Sequence, residues 1–352
     1  MVQLNETSRR GAGLLSGPRG REVCVEVARL IDPQLVMLHE VTDEASRVRL
    51  VGQLAALDAQ GVAALDGPLE LLDALIATVD SARYWQEPFE HDAVLADPQV
   101  TGQLEPIARA LASAPAAQWW WSPVDLARQS LVRWSDQSGA RTAMPSLRGT
   151  ATRLEAWRAD ALADEAQAAA HRPADPAASY TGYWWSTPTH ADLVTTSRQL
   201  GRLPAVQLDL VEDSMGWERA RVASVEPGAN ARVLEIAAPS DWAGLVTSYP
   251  LDVDRSRRHD WYRTTGRTGP WQIPDWVAVS RDYDAVHLTV ASYLAAAGRA
   301  LPTEHGWTVL GGFDPDLTYW LTESVDSIAT PATWTRKTFD DHGHEWACET
   351  SP

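Results

Sequence analysis

The segment His171-Arg172-Pro173-Ala174-Asp175-Pro176 divides the chain into two apolar periodicities, and this division constrains the fold more than any other feature. Proline lacks the amide donor and crowds the preceding turn, so no helix continues through it. Before the break, apolar residues recur at three- and four-residue spacing, as in Leu69, Leu72, Ile76 and Val79, and predict helices over 22–31, 45–60 and 68–80. Ser122-Pro123-Val124-Asp125 carries a capping hydroxyl, a first-turn proline and a first-turn acid. It predicts a helix that buries Val124, Ala127, Leu131 and Trp134. Leu147, Leu154, Trp157 and Ala161 mark a longer helix within 147–171.

Past Ser179 the period becomes two, and short runs separated by turn residues predict strands at 180–186, 205–212, 218–225, 232–237, 285–290, 307–311 and 318–321. Helices are expected after Pro239-Ser240-Asp241, after Pro274-Asp275 and over 291–301. The fold class is therefore α+β: an α-helical N-terminal region followed by a mixed or antiparallel β-sheet domain with a few helices. The corresponding division is a flexible N-terminus over 1–20, a helical domain over 21–173, a site-bearing sheet domain over 179–325 and an irregular tail over 326–352.

A chain of 352 residues, 45% apolar and 22% charged, suits two soluble domains. A net charge of −17 argues against nucleic acid or an anionic membrane surface as partners, since both demand clustered basic residues. The only apolar stretch near the start, 11–15, is too short for a secretory segment, and no apolar run approaches the roughly 18 residues of a membrane span. Cys24 and Cys348 lie at opposite ends and form no disulfide framework, so a cytoplasmic protein is expected. Seventeen tryptophans stand against three phenylalanines, and one lysine, Lys337, is the sole ammonium side chain. GC-rich coding produces such usage, so the positions of the indoles carry more information than their number.

Three groups could carry chemistry. Arg255, Arg257, Arg258, His259, Arg263 and Arg267 form a basic island in an acidic chain, interleaved with Trp261, Tyr262 and Trp271. Guanidinium forks and indole faces together suit a planar ligand with an anionic arm, although Asp252, Asp254 and Asp260 could instead neutralise the island. On a strand through 285–290, His287 and Thr289 share the face opposite Val286 and Leu288, with Tyr283 just before it. That makes His287 the residue best suited to proton transfer near neutral pH. Glu212, Asp213 and Glu235 could share a site from neighbouring strands, where repulsion would raise one pKa. On a strand, Trp184 and Trp185 would point to opposite faces, one available for stacking. Three consecutive indoles, Trp119 to Trp121, cannot all face one way, which places at least one at a junction or ligand surface.

Asp341, His342, His344 and Cys348 have metal-ligand composition but crowd one short segment, so no metal site is assigned. Phosphate-binding glycine loops and the Gly-x-Ser-x-Gly elbow are absent from the sequence. The leading expectation is a small-molecule metabolic or biosynthetic enzyme using acid/base chemistry on a planar or aromatic metabolite with a carboxylate or phosphate, and no cofactor is required. Catalysis falls to His287, Glu235 and Tyr283; binding falls to Arg258, Arg263, Arg267, Trp261, Tyr262, Trp271, Trp184 and Trp185. Alternatives are a binding or immunity-type module using exposed Trp and Arg, an NAD-consuming ADP-ribosyl transferase, and a carbohydrate-active enzyme. A homo-oligomer is compatible with all of them.

Overall fold

A computed structural model describes residues 5–135, 143–214, 216–338 and 344–349. The helical half comprises α1 (Glu6–Leu15), α2 (Pro18–Ile31), α3 (Glu44–Ala56), α4 (Ala59–Ala63), α5 (Leu72–Asp80), α6 (Glu90–Ala96), α7 (Pro98–Ser113) and α8 (Thr150–His171). Helices begin where the residue chemistry allows. Asn5 and Asp43 accept from the backbone N–H three residues on, and Pro18 and Pro98 occupy first-turn positions where no donor is needed. Residues 6–15, expected to be flexible, form α1, held by the Asn5 cap and by packing on α7.

The sheet is built from β1 (Gln129–Trp134), β2 (Thr195–Arg198), β3 (Arg219–Pro227), β4 (Val233–Ile236), β5 (Ala285–Leu288), β6 (Thr318–Trp320), β7 (Val325–Ile328), β8 (Ala332–Thr338) and β9 (His344–Cys348). Its order is β9-β8-β3-β1-β2-β6-β5-β4, with β7 also paired to β3. All pairings are antiparallel except β4 with β5. That parallel pair needs a crossover, supplied by α9 (Pro239–Ser248), α10 (Asp254–Thr265) and α11 (Trp276–Asp282); α12 (Val290–Ala296) follows β5. The α+β class is as the sequence indicates.

Several elements differ from expectation. Ser122-Pro123 does not open a helix: a 3-10 turn over Pro115–Trp121 ends there and β1 follows. Gln129 to Val132 are buried between β2 and β3, and a strand covered on both faces shows no alternation, so its apolar positions fit a helical template equally well. Residues 205–212 are a short 3-10 turn, Val206–Leu208, rather than a strand; Val206, Leu208 and Leu210 are all buried there. Residues 180–186 form no strand: the carbonyls of Tyr180, Trp184, Trp185 and Ser186 accept from side chains of Arg263, Trp261, Arg257 and Trp276. The expected irregular tail contains β7, β8 and β9, which extend the sheet beyond β3.

One apolar cluster includes Val23 and Leu104 of the helical half together with Trp242, Trp261 and Leu288 of the other, so packing is continuous past the proline-rich segment. Trp120, Trp242, Trp261, Trp271, Trp276 and Trp320 are fully buried. The Trp119 to Trp121 run resolves by position: Trp120 is core, while Trp119 and Trp121 lie beneath the guanidiniums of Arg198 and Arg10. No helix among the described residues is long and apolar enough to cross a membrane.

Candidate functional site

His287 and Glu235 come together, His287 Nδ1 lying 2.6 Å from Glu235 Oε2 across the parallel β4–β5 pair, so Glu235 does not share a site with Glu212, against the expectation from the acids' positions. His287 and Glu235 meet inside a closed network. His287 Nε2 lies 3.4 Å from Asp316 Oδ1, Asp316 accepts from Arg198 Nε (2.6 Å) and from the Arg198 amide (2.9 Å), and the Val124 amide donates to Glu235. His287 and Asp316 are each 1% exposed. Burial opposes the imidazolium, but hydrogen bonds to Asp316 and Glu235 and their charges outweigh it and raise the His287 pKa. The cluster ties β2, β4, β5 and the 122–124 segment together, and His287 lines neither of the two cavities described below. Tyr283 ends α11 half-buried and makes no hydrogen bond to either residue.

Most of the basic island is helical. Positions 254–265 form α10, and helical spacing turns its arginines outward in different directions instead of onto one ligand. Arg258 donates to the carbonyls of Pro173 and Ala174, and Arg263 to Tyr180 and Asp260, fastening α10 to the 173–183 segment. Arg267 is exposed and stacks 3.7 Å from the Trp307 ring centre. Trp261 and Trp271 are core residues packed edge to face, and Tyr262 is half-buried on α10. These six residues therefore do not form the expected clamp. Of the terminal metal-like group, His344 binds Asp209 and Cys348 is a free thiol, while Asp341 and His342 lie outside the described residues.

Trp184 and Trp185 do wall a cleft. Freed from strand geometry, their rings stack on each other at 4.1 Å instead of pointing apart, and Tyr84 stacks on the far side of Trp184. The cleft measures about 390 Å³ and lies against β1, β2 and β6, where the directly paired Thr195 and Tyr319 contribute to its lining. Trp134 and Trp217, stacked at 5.0 Å, also line the cleft.

Glu212 and Asp314 reach this cleft from two turns. Glu212, 9% exposed, accepts from the Tyr84 hydroxyl and, at 2.9 Å, from the Gly312 amide; its own amide donates to Asp314 at 3.1 Å. Gly312 has φ 73, and a Cβ there would meet the Trp185 ring at 2.2 Å, so only glycine can present this amide beneath the indole. Among the described residues neither carboxylate has a salt-bridge partner. Burial, reinforced by Asp314, pushes Glu212 up to about 8 against its hydrogen bonds. Burial pushes Asp314 up to about 6. Their neighbour Asp213 is instead paired with Arg83 at 3.3 Å.

At neutral pH the Glu212 carboxyl is largely protonated and can donate a proton, while Asp314 is largely ionised and can accept one. Asp314 and Tyr84 were not singled out from sequence. Both gain their significance from contacts more than 100 residues away, to which no local pattern corresponds. No family model, curated protein or solved structure matches this chain.

Proposed function

We propose that the protein is an acid/base enzyme of small-molecule metabolism working in the Trp184–Trp185 cleft, with Glu212 as proton donor and Asp314 as the ionised partner. The observation that carries this reading is the pair itself: two carboxyls lining an aromatic cleft, neither in a salt bridge among the described residues, while the arginine of the same lining, Arg133, is paired with Asp192 at 3.1 Å. The cleft's charge favours a neutral substrate over an anionic one. Stacked indoles suit a flat ring face, and a protonated carboxyl beside an ionised one suits cleavage of a glycosidic bond. A glycoside is thus the substrate class that uses both features. Free Cys24 and Cys348 are compatible with a reducing, cytoplasmic setting.

The test is turnover of a panel of aryl glycosides, read by release of the chromophore, alongside quenching of tryptophan fluorescence by neutral sugars. Support is turnover that falls at least 100-fold in Glu212→Gln and declines in the parent protein as pH passes about 8. Absence of both turnover and saturable quenching across the panel overturns the reading. Saturable binding of organic cations alone would replace the glycoside with a cationic ligand.

A further inference from the structure

A second cavity, of about 470 Å³, lies on the other side of the 183–192 segment, between that segment and one face of α8. Arg153, Trp157, Asp160, Ala161 and Asp164 recur along α8 at the spacing that places them on one face, and Tyr183 and His190 lie opposite. Arg257 also lines this cavity, although its side chain is 1% exposed.

The charge of Arg257 is poorly compensated. Its Nε donates to the Trp185 carbonyl at 3.2 Å and one amino group donates to Ser256 Oγ at 3.0 Å, both neutral acceptors. Its carboxylate contact is Asp164 at 3.4 Å, and that side chain already accepts from Arg172 at 2.5 Å. Glu165, one residue further along α8, is committed to the amides of Arg255 and Ser256. Burial accordingly pushes Arg257 down to about 10, despite opposing help from Tyr183, Asp164 and Glu165. A buried guanidinium without a close acid of its own is costly, and an incoming carboxylate would remove that cost. Its charge also lies 4.5 Å above the Tyr183 ring, which fixes the guanidinium plane beside an aromatic wall.

We propose that this cavity binds a small aromatic carboxylate, the carboxylate on Arg257 and the ring against Trp157 and Ala161 of α8. This site is separate from the acid/base cleft and does not depend on the reading given for it. It locates the planar anionic ligand suggested by the basic island at Arg257, the member of the island whose charge is buried in a cavity wall.

The experiment titrates the intact protein with 2-naphthoate and with its neutral analogue 2-naphthylmethanol, by calorimetry and tryptophan fluorescence. The expected result is saturable naphthoate binding, at least 10-fold tighter than binding of the alcohol. Ala161→Phe, which fills the cavity from α8 while leaving the guanidinium in place, should abolish it, and Glu212→Gln should leave it unchanged. Arg257→Gln should equalise the two ligands, provided circular dichroism shows a folded protein; Ala161→Phe decides the matter if it does not. Equal affinity for acid and alcohol, binding that survives Ala161→Phe, or no saturation at millimolar concentration would overturn the proposal.

Discussion

The carboxylate clusters around His287 and around Glu212 differ in what balances their charge. Around His287, the acids Glu235 and Asp316 face an imidazole with a raised pKa and the guanidinium of Arg198, so each acid has a cationic partner. Around Glu212, the acids face tyrosine, glutamine and backbone amides, and protons must supply the missing positive charge. A carboxylate locked to arginine has little freedom to exchange its proton, whereas one held by neutral donors titrates near the pH at which enzymes work. The first cluster is a fastening between strands and the second is available to a ligand.

The sharpest way to break this comparison is to remove charge from the fastening. Asp316 has φ 60, a conformation asparagine tolerates, so Asp316→Asn changes charge with little backbone cost. It leaves Arg198 buried without its anion, and the folded state should lose about 3–5 kcal/mol in urea denaturation. A loss below about 1 kcal/mol would mean that the network is not what joins β2 to β5.

The next effect concerns the cleft and has a definite sign. Glu212 binds its proton more tightly folded than unfolded, so its contribution is fully present below about 4.5 and declines as pH rises to about 8. The slope should approach about 1.4 kcal/mol per pH unit. Glu212→Gln should remove that decline, so the variant gains on the parent protein through the same window in denaturation at several pH values. His287 also loses its stabilising contribution as pH rises, through its own raised pKa, and that part should persist in the variant. Parallel stability profiles for the two proteins would show that Glu212 is ionised at neutral pH and would remove it as a proton donor.

A smaller change separates the hydrogen bond from burial. The Tyr84 hydroxyl donates to Glu212 and holds its pKa down. Tyr84→Phe should therefore move the Glu212 titration to higher pH, by roughly one unit for a lost bond of about 1 kcal/mol. Tryptophan fluorescence against pH reads this directly, since Trp184 and Trp185 adjoin the carboxyl in the cleft wall. A downward movement would show that the hydroxyl accepts from a protonated Glu212 instead.

The two clusters also differ in how far the sequence discloses them. Glu235 and His287 sit on strands whose alternation is plain, so their meeting could be anticipated; Asp316 and Arg198, which decide the role of that pair, could not, because they arrive from a loop and another strand. Trp184 and Trp185 were recognisable as a stacking surface, but the expectation that their rings diverge assumed strand geometry, whereas their carbonyls accept from side chains. Glu212 was visible as an acid and its partner was not. The basic island was read as a group, whereas the helix separates its members. Charge runs disclose neither direction nor burial: burial distinguishes Arg257 from Arg263 and Arg267, and direction, into a cavity wall rather than onto the carbonyls of Pro173 and Ala174, distinguishes it from Arg258.

Arg267 gives the mildest test of that distinction. It carries the same charge as Arg198 and Arg257, but it is exposed and its contact is the face of Trp307. Water already solvates an exposed guanidinium, so only the ring attraction is lost on truncation, and Arg267→Ala should cost about 0.5–1 kcal/mol. It should leave ligand affinity in both the cleft and the Arg257 cavity within twofold of the parent protein, as measured by calorimetry. If burial in a cavity wall with only a shared, distant acid is what makes an arginine functional, removing this one is nearly silent. A loss of several-fold in affinity would return the 255–267 segment to the binding surface as a whole and dissolve the contrast between buried and exposed charge.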